Sequence, residues 1–284
     1  MAWNLEMYSR SIIEASKSVL VELLRCLGMY KQHLVLVGGW APYFILERFG
    51  RERRHCGSID VDFALNPALI DKEVYMTIVE TIKRRGYASH VDELGNEVPF
   101  RFFRSVMSPF DNKEYKIEVD FLTEPETVSI LHRPLLQVQR DLQAIIMPGC
   151  GVVFHHNFAH KIEGVLPDNG LASVSVKVAD VTGILTMKGL ALEGRYKEKD
   201  PYDIYSVVKF FKRGPTGAAL QVRRHLKEPI VGKALEVIKE KFKTLKSEGP
   251  FQVSRFMAPT KEEERTRIQA EVYTTMKRFV EKLK

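Results

Sequence analysis

Two aspartates stand two residues apart in Gly57-Ser58-Ile59-Asp60-Val61-Asp62-Phe63, a stretch whose other members are those of a buried strand. Successive side chains of a strand point to opposite faces, so Ile59, Val61 and Phe63 share one face and Asp60 and Asp62 the other. Like charges held side by side repel, and a hard divalent cation such as Mg²⁺ or Mn²⁺, which takes carboxylate oxygens, removes that cost. About twenty residues earlier, Val37-Gly38-Gly39 closes one apolar run and precedes another. Glycines at a strand-to-helix turn let the backbone approach a ligand, and the free N–H groups of a starting helix favour phosphate. The interval suits strand, turn, helix, turn and strand, which returns the aspartates beside the glycines. A phosphate cradle next to a divalent-cation pair is what handling a nucleoside triphosphate requires.

A third carboxylate would complete a two-cation site. In Tyr115-Lys116-Ile117-Glu118-Val119-Asp120-Phe121-Leu122, Asp120 has the same apolar flanks as Asp60 and Asp62. Its expected role is to hold a second cation and to orient or deprotonate an attacking hydroxyl. Glu118 shares its face and competes for that role. Further on, a helical wheel over 180–195 gathers Thr182, Thr186, Gly189 and Glu193 on one side and Val181, Ile184, Leu185, Ala191 and Leu192 on the other. Lys188 and Arg195 fall in the middle of the apolar side, where a cation is costly unless paired. Either both reach solvent along their stems, or this face borders a cleft, with Lys188 on the triphosphate and Arg195 on a carboxylate or phosphate. Two cations in register favour the second reading. Asp200 before Pro201 has the chemistry of a helix N-cap. Asp203, one turn on, pairs with Lys188 or Arg195 or reaches the metal.

The elements that must position these groups are legible in outline. Residues 5–29 have helical periodicity, 34–39 read as a strand ending on the glycines, and 41–48 as a helix. A strand is expected over 59–65, then a helix from Asn66-Pro67 to Arg85 ended by Gly86. Residues 98–106 and 115–123 are extended, and 124–178 are β or irregular. Helices are expected at 180–194, 201–212, 216–226, 229–246 and 261–282. The fold class is therefore α/β (α+β) with a mixed sheet, followed by a mainly helical part. The expected domains are 1–178 and 179–284, a bilobed molecule with its site in the cleft between the lobes.

Composition narrows the classes. The chain of 284 residues is 45% hydrophobic and 28% charged, a globular profile without a run long enough to span a membrane. No secretory signal is recognised at the start, so a cytoplasmic location is expected. Three cysteines, unclustered and odd in number, speak against a disulfide framework or a Cys-based zinc site. His155, His156 and His160 have no ligating carboxylate at metalloprotease spacing, and no nucleophile elbow is present. From Lys209 to the end there are 19 Lys and Arg against 9 Asp and Glu, so the net charge of +7 sits in the last part of the chain. That asymmetry suits a polyanion such as tRNA, and equally a set of solvated Lys-rich helices.

Glycines followed by Ser58-Ile-Asp60-Val-Asp62 resemble the nucleotidyltransferase (polymerase-β-like) fold. The segment from Lys188 through Arg195 and Asp200 to Asp203 resembles the Lys–Ala-Leu–Arg–Asp–x–x–Asp signature of the AbiEii/MenT-type toxin nucleotidyltransferases. The resemblance implies an Mg²⁺-dependent transfer of a nucleotide from ATP, GTP or CTP to an acceptor hydroxyl, tRNA above all, and a cognate antitoxin as partner. It implies that Gly38, Gly39 and Ser58 contact phosphates, that Asp60 and Asp62 bind metal, that Lys188 holds the triphosphate, and that Asp203 is a late essential carboxylate. Gly38-Gly39-Trp40-Ala41 and the charged run 51–55 are also similar to nucleotidyltransferases that modify aminoglycosides or lincosamides. A non-catalytic nucleotide- or RNA-binding module of the same fold is the third possibility.

Overall fold

The computed structural model describes residues 4–52, 55–66, 77–124, 135–194 and 196–284. Contacts divide the chain into two compact units that are interleaved in sequence. One comprises Ser9–Trp40 and Ser58–Ala179 and holds the sheet; the other comprises Met1–Tyr8, Ala41–Gly57 and Asp180–Lys284 and is helical. A division at 178/179 would leave 41–57 with the sheet, whereas its contacts are with the helices. Gly50 bridges to Phe211, the Arg51 N–H donates to the Phe210 carbonyl, and the Phe49 and Phe211 rings meet edge-on at 6.0 Å.

In the sheet unit the strands are β1 (Leu34–Leu36), β2 (Val61–Leu65), β3 (Ala88–Val91), β4 (Glu97–Met107), β5 (Glu114–Thr123), β6 (Leu135–Gln139), β7 (Leu142–Ile146), β8 (Asn157–Val165) and β9 (Leu171–Ala179). They form one mixed sheet in the order β3-β4-β5-β2-β1-β9-β8, with β7 adding to β5 and β6 to β7. β2 runs parallel to β5 and antiparallel to β1, and β4 runs antiparallel to β5. Ile117, Val119 and Phe121 are buried while Glu118 and Asp120 are less so, the alternation their sequence announces.

Helix α1 (Arg10–Cys26) covers the apolar face, burying Val19, Leu20 and Leu23. Each such side chain contributes on the order of 1.5–3 kcal/mol when removed from water. Polar contacts fix the seating. Arg104 Nε donates to Glu22 at 3.2 Å, the Tyr87 hydroxyl to the Val19 carbonyl at 3.1 Å, and Trp40 Nε1 to Ser16 Oγ at 3.1 Å. Because Arg104 and Phe102 look toward α1, Arg101 and Phe103 look to the opposite face, the one that carries Asp62 and Asp120. Helix α3 (Ile78–Lys83) starts at a Thr77–Glu80 capping box. The rest of the helix expected from Asn66-Pro67, over 67–76, lies outside the described residues.

The helical unit contains α2 (Trp40–Phe49, from Ala41 on), α4 (Val181–Gly194), α5 (Lys199–Phe210), α6 (Pro215–Val222), α7 (Pro229–Lys241), α8 (Glu248–Met257) and α9 (Glu262–Leu283). Asp180 caps α4, accepting from the Thr182 and Gly183 N–H groups at 2.8 and 3.0 Å. The wheel reading of α4 needs correction: Thr182, Thr186 and Gly189 of its polar side are buried, and Glu193 near its end is exposed. Thr182 and Thr186 are inaccessible, and a Cβ on Gly189 would stand 2.8 Å from the Ala234 carbonyl oxygen of α7. α4 is a central helix packed on more than one side, and Gly189 permits the close approach of α7. Among the described residues no helix is long and apolar enough to cross a membrane.

Candidate functional site

The glycine turn and the first aspartate strand meet as their spacing requires. β1 pairs with β2 at Leu36↔Phe63, and the Val37 N–H donates to the Asp62 carbonyl at 3.0 Å. The next residue, Gly38, has φ +60 and so occupies the left-handed region. A Cβ at Gly38 would lie 1.9 Å from Asp62 Oδ2, so the carboxylate already fills the space a side chain would take. Gly39 is buried, and α2 begins immediately after it at Trp40.

β2 begins at Val61, so the strand expected from residue 59 is shorter and Asp60 lies in the bend ahead of it. Asp60 there accepts a hydrogen bond from the buried Ser58 hydroxyl. Ser58, expected to contact phosphate, thus supports the aspartate. Asp62 and Asp120 are in-register neighbours on the parallel strands β2 and β5, and Asp120 is in register with Arg101 on β4. Three strands therefore place Asp62, Asp120 and Arg101 in one row on one face.

Arg101 is one residue missed from sequence. Its Nε and Nη2 donate to the two oxygens of Asp120 at 2.9 and 2.8 Å, a bidentate pair. Asp120, expected to bind a second cation, already has a permanent positive charge on both oxygens. The only signal was alternation in Val98–Val106, which puts Arg101 and Phe103 on one face; which strand that face would meet is not written locally. Glu118, the rival carboxylate, lies 4.0 Å from Arg101 Nε and 3.4 Å from His90 Nε2. Burial and the nearby Lys116 push the His90 imidazole below its ordinary value. Lys116 sits 3.6 Å from the Phe103 ring centroid.

The remaining predicted residues lie in the helical unit. Lys188 is buried and binds two carboxylates, with Nζ 2.6 Å from Asp200 Oδ1 and 2.9 Å from Asp203 Oδ2. Lys199 holds the other oxygen of Asp203 at 2.9 Å. Asp200 is the second residue of α5 and only 1% exposed, so the N-cap reading gives way to an ion pair. Burial works against ionisation of Asp203, yet Lys188 and Lys199 hold its carboxyl well below the usual carboxylate range.

His55 joins this network. Its Nδ1 accepts from the Gly57 N–H at 3.1 Å, which places the ring proton on Nε2, 3.0 Å from Asp203 Oδ1. Burial lowers its pKa to about 4 against the pull of Asp203. In the sequence the charged run from Arg51 to His55 carries only a similarity to aminoglycoside- or lincosamide-modifying nucleotidyltransferases and marks out no role for His55 itself. Arg195 lies outside the described residues, as do Arg53 and Arg54.

Trp40 is fully buried on α1 and is a core residue rather than a lining of any acceptor site. The three cysteines are free thiols, and burial pushes Cys26 up to about 12 and Cys56 up to about 11, so neither is a ready nucleophile. Comparison with family models, with curated proteins and with solved structures gives no match to this chain.

Proposed function

We propose that this protein is a nucleotidyltransferase that moves a nucleoside monophosphate from a nucleoside triphosphate to an acceptor hydroxyl, tRNA being the acceptor its charge suits. The observation that carries the reading is the Asp62 carboxylate lying in the space left by the missing side chain of Gly38. That contact puts a metal-type ligand beside backbone able to receive phosphate, which a carboxylate placed for solubility alone has no reason to do.

The donor set fits a hard divalent cation: Asp60 and Asp62 offer only carboxylate oxygens, and they are the residues that would hold Mg²⁺ or Mn²⁺. When bound, such an ion neutralises charge on the reacting phosphate and acidifies an attacking hydroxyl. Ser58 keeps Asp60 oriented through its hydroxyl. Gly38 and Gly39 would meet phosphate oxygens through their backbone N–H groups at the residues just ahead of α2, with the Asp62 carboxylate beside Gly38. In the transfer, the acceptor oxygen bonds to the α-phosphorus as the bond to the pyrophosphate bridging oxygen breaks. The hydroxyl proton goes to a carboxylate of the site. Lys188 has no part in this scheme, because Asp200 and Asp203 already balance its charge. The 19 Lys and Arg from Lys209 onward suit a polyanionic acceptor better than a small sugar.

The test is incubation with each α-³²P-labelled nucleoside triphosphate, Mg²⁺ and total tRNA, resolved on a denaturing gel. Labelled RNA is expected from the wild type and none from Asp60→Ala, with the variant's fold checked by circular dichroism. Undiminished labelling by Asp60→Ala refutes the metal role. Label on a small aminoglycoside or lincosamide but not on RNA assigns the acceptor to that class.

A further inference from the structure

We infer that Arg101 stands in for a second divalent cation at Asp120, so that the site takes one ion, at Asp60 and Asp62, and not two. The inference rests on the transferase reading above and narrows its metal requirement. It starts from register. Arg101↔Asp120 is a directly opposed pair of the antiparallel β4–β5 ladder, and Asp62↔Asp120 a pair of the parallel β2–β5 ladder. The backbone therefore fixes the arginine beside Asp120, the middle member of the row.

Geometry makes the pairing complete. Both Asp120 oxygens are engaged, at 2.9 and 2.8 Å, and Glu118 adds a second carboxylate 4.0 Å from the guanidinium. The Asp120 side chain is 15% exposed and that of Arg101 38%, so the pair is only partly screened by water. A guanidinium does not lose its proton at any working pH. A divalent ion approaching Asp120 would meet a fixed like charge within hydrogen-bonding distance of both Asp120 oxygens. In-register carboxylates such as Asp62 and Asp120 repel, and Arg101 removes that repulsion without a metal.

The experiment is a titration of the full chain with Mn²⁺ alone, following the free ion by electron paramagnetic resonance. The wild type is expected to bind one ion, Arg101→Gln two, and Arg101→Gln combined with Asp120→Asn one again. Arg101→Lys, which keeps a charge beside Asp120, stays at one. Should the glutamine variant fail to fold by near-ultraviolet circular dichroism, Arg101→Met carries the same expectation. A wild type that binds two ions or none, or an uncharged Arg101 variant that folds and still binds one, overturns the inference. The parent reading fails on a different result: RNA labelling that survives Asp60→Ala.

Discussion

Gly38→Ala tests the contact on which the site depends. The added Cβ would stand 1.9 Å from Asp62 Oδ2, 2.7 Å from Cγ and 2.9 Å from Cβ, so Asp62 must move or the turn must open. Two costs combine. An L-residue in the left-handed region at φ +60 loses about 1–2 kcal/mol, and overpacking of this kind costs about 1–3 kcal/mol more. The expected loss is therefore about 2–5 kcal/mol, a large share of a typical domain's 5–15 kcal/mol. Urea denaturation at neutral pH reads it as a lower midpoint with an unchanged slope.

Two further variants separate the terms. Gly95 has φ +85 and no atom within 4 Å of a built Cβ, so Gly95→Ala reports the strain alone, about 1–2 kcal/mol. Asp62→Gly removes all three of these Asp62 atoms, and Gly38→Ala in that background is expected to cost little more than strain, a coupling of about 1–3 kcal/mol. The same displacement weakens Mn²⁺ binding in Gly38→Ala, because the moved carboxylate is a proposed ligand. Additive effects of the two substitutions, or a Gly38→Ala protein as stable as wild type, would refute the reasoning.

The buried network of the helical unit gives the other two predictions. His55 is neutral when folded, with its pKa lowered to about 4, so between pH 6.5 and 4 the unfolded chain takes up a proton that the folded chain refuses. Stability is expected to fall by roughly 3 kcal/mol as pH drops through that window, and the slope should be missing from His55→Gln in urea titrations at pH 7 and 4.5. Asp203 acts lower: its depressed pKa makes a contribution present above the ordinary carboxylate range and lost only as pH falls well below it. Asp203→Asn leaves Lys188 and Lys199 less compensated in the interior and is expected to cost about 3–5 kcal/mol. A loss under about 1 kcal/mol, the level of a surface pair, would mean the network is hydrated rather than buried.

Much of the secondary structure was local information. Alternation in Tyr115–Leu122 and Val98–Val106 marked two strands, and the structure extends each by no more than one residue at either end. Other elements were obscured by their own chemistry. No helix is expected between 246 and 261, yet α8 lies there with Gly249-Pro250 in its first turn, where proline lacks only an N–H that has no helical partner anyway. α4 misled in the opposite direction. Its threonines and glycine make a polar stripe on a wheel, but a stripe of small residues is also what a second packed helix needs.

By itself, then, the sequence determined the periodicities, the placement of Asp62 and Asp120 on the polar side of their strands, and the glycine turn preceding them. These depend on neighbours one to four residues apart, where alternation and turn chemistry act. The tertiary structure alone decided the partners. Arg101 reaches Asp120 through strand register, His55 reaches Asp203 across 148 residues, and of the partners open to Asp203 it is Lys188, shared with Asp200, that binds it. Such pairings are chosen by whichever packing buries the most apolar surface while leaving the fewest charges uncompensated, a condition on the whole chain that no short stretch contains.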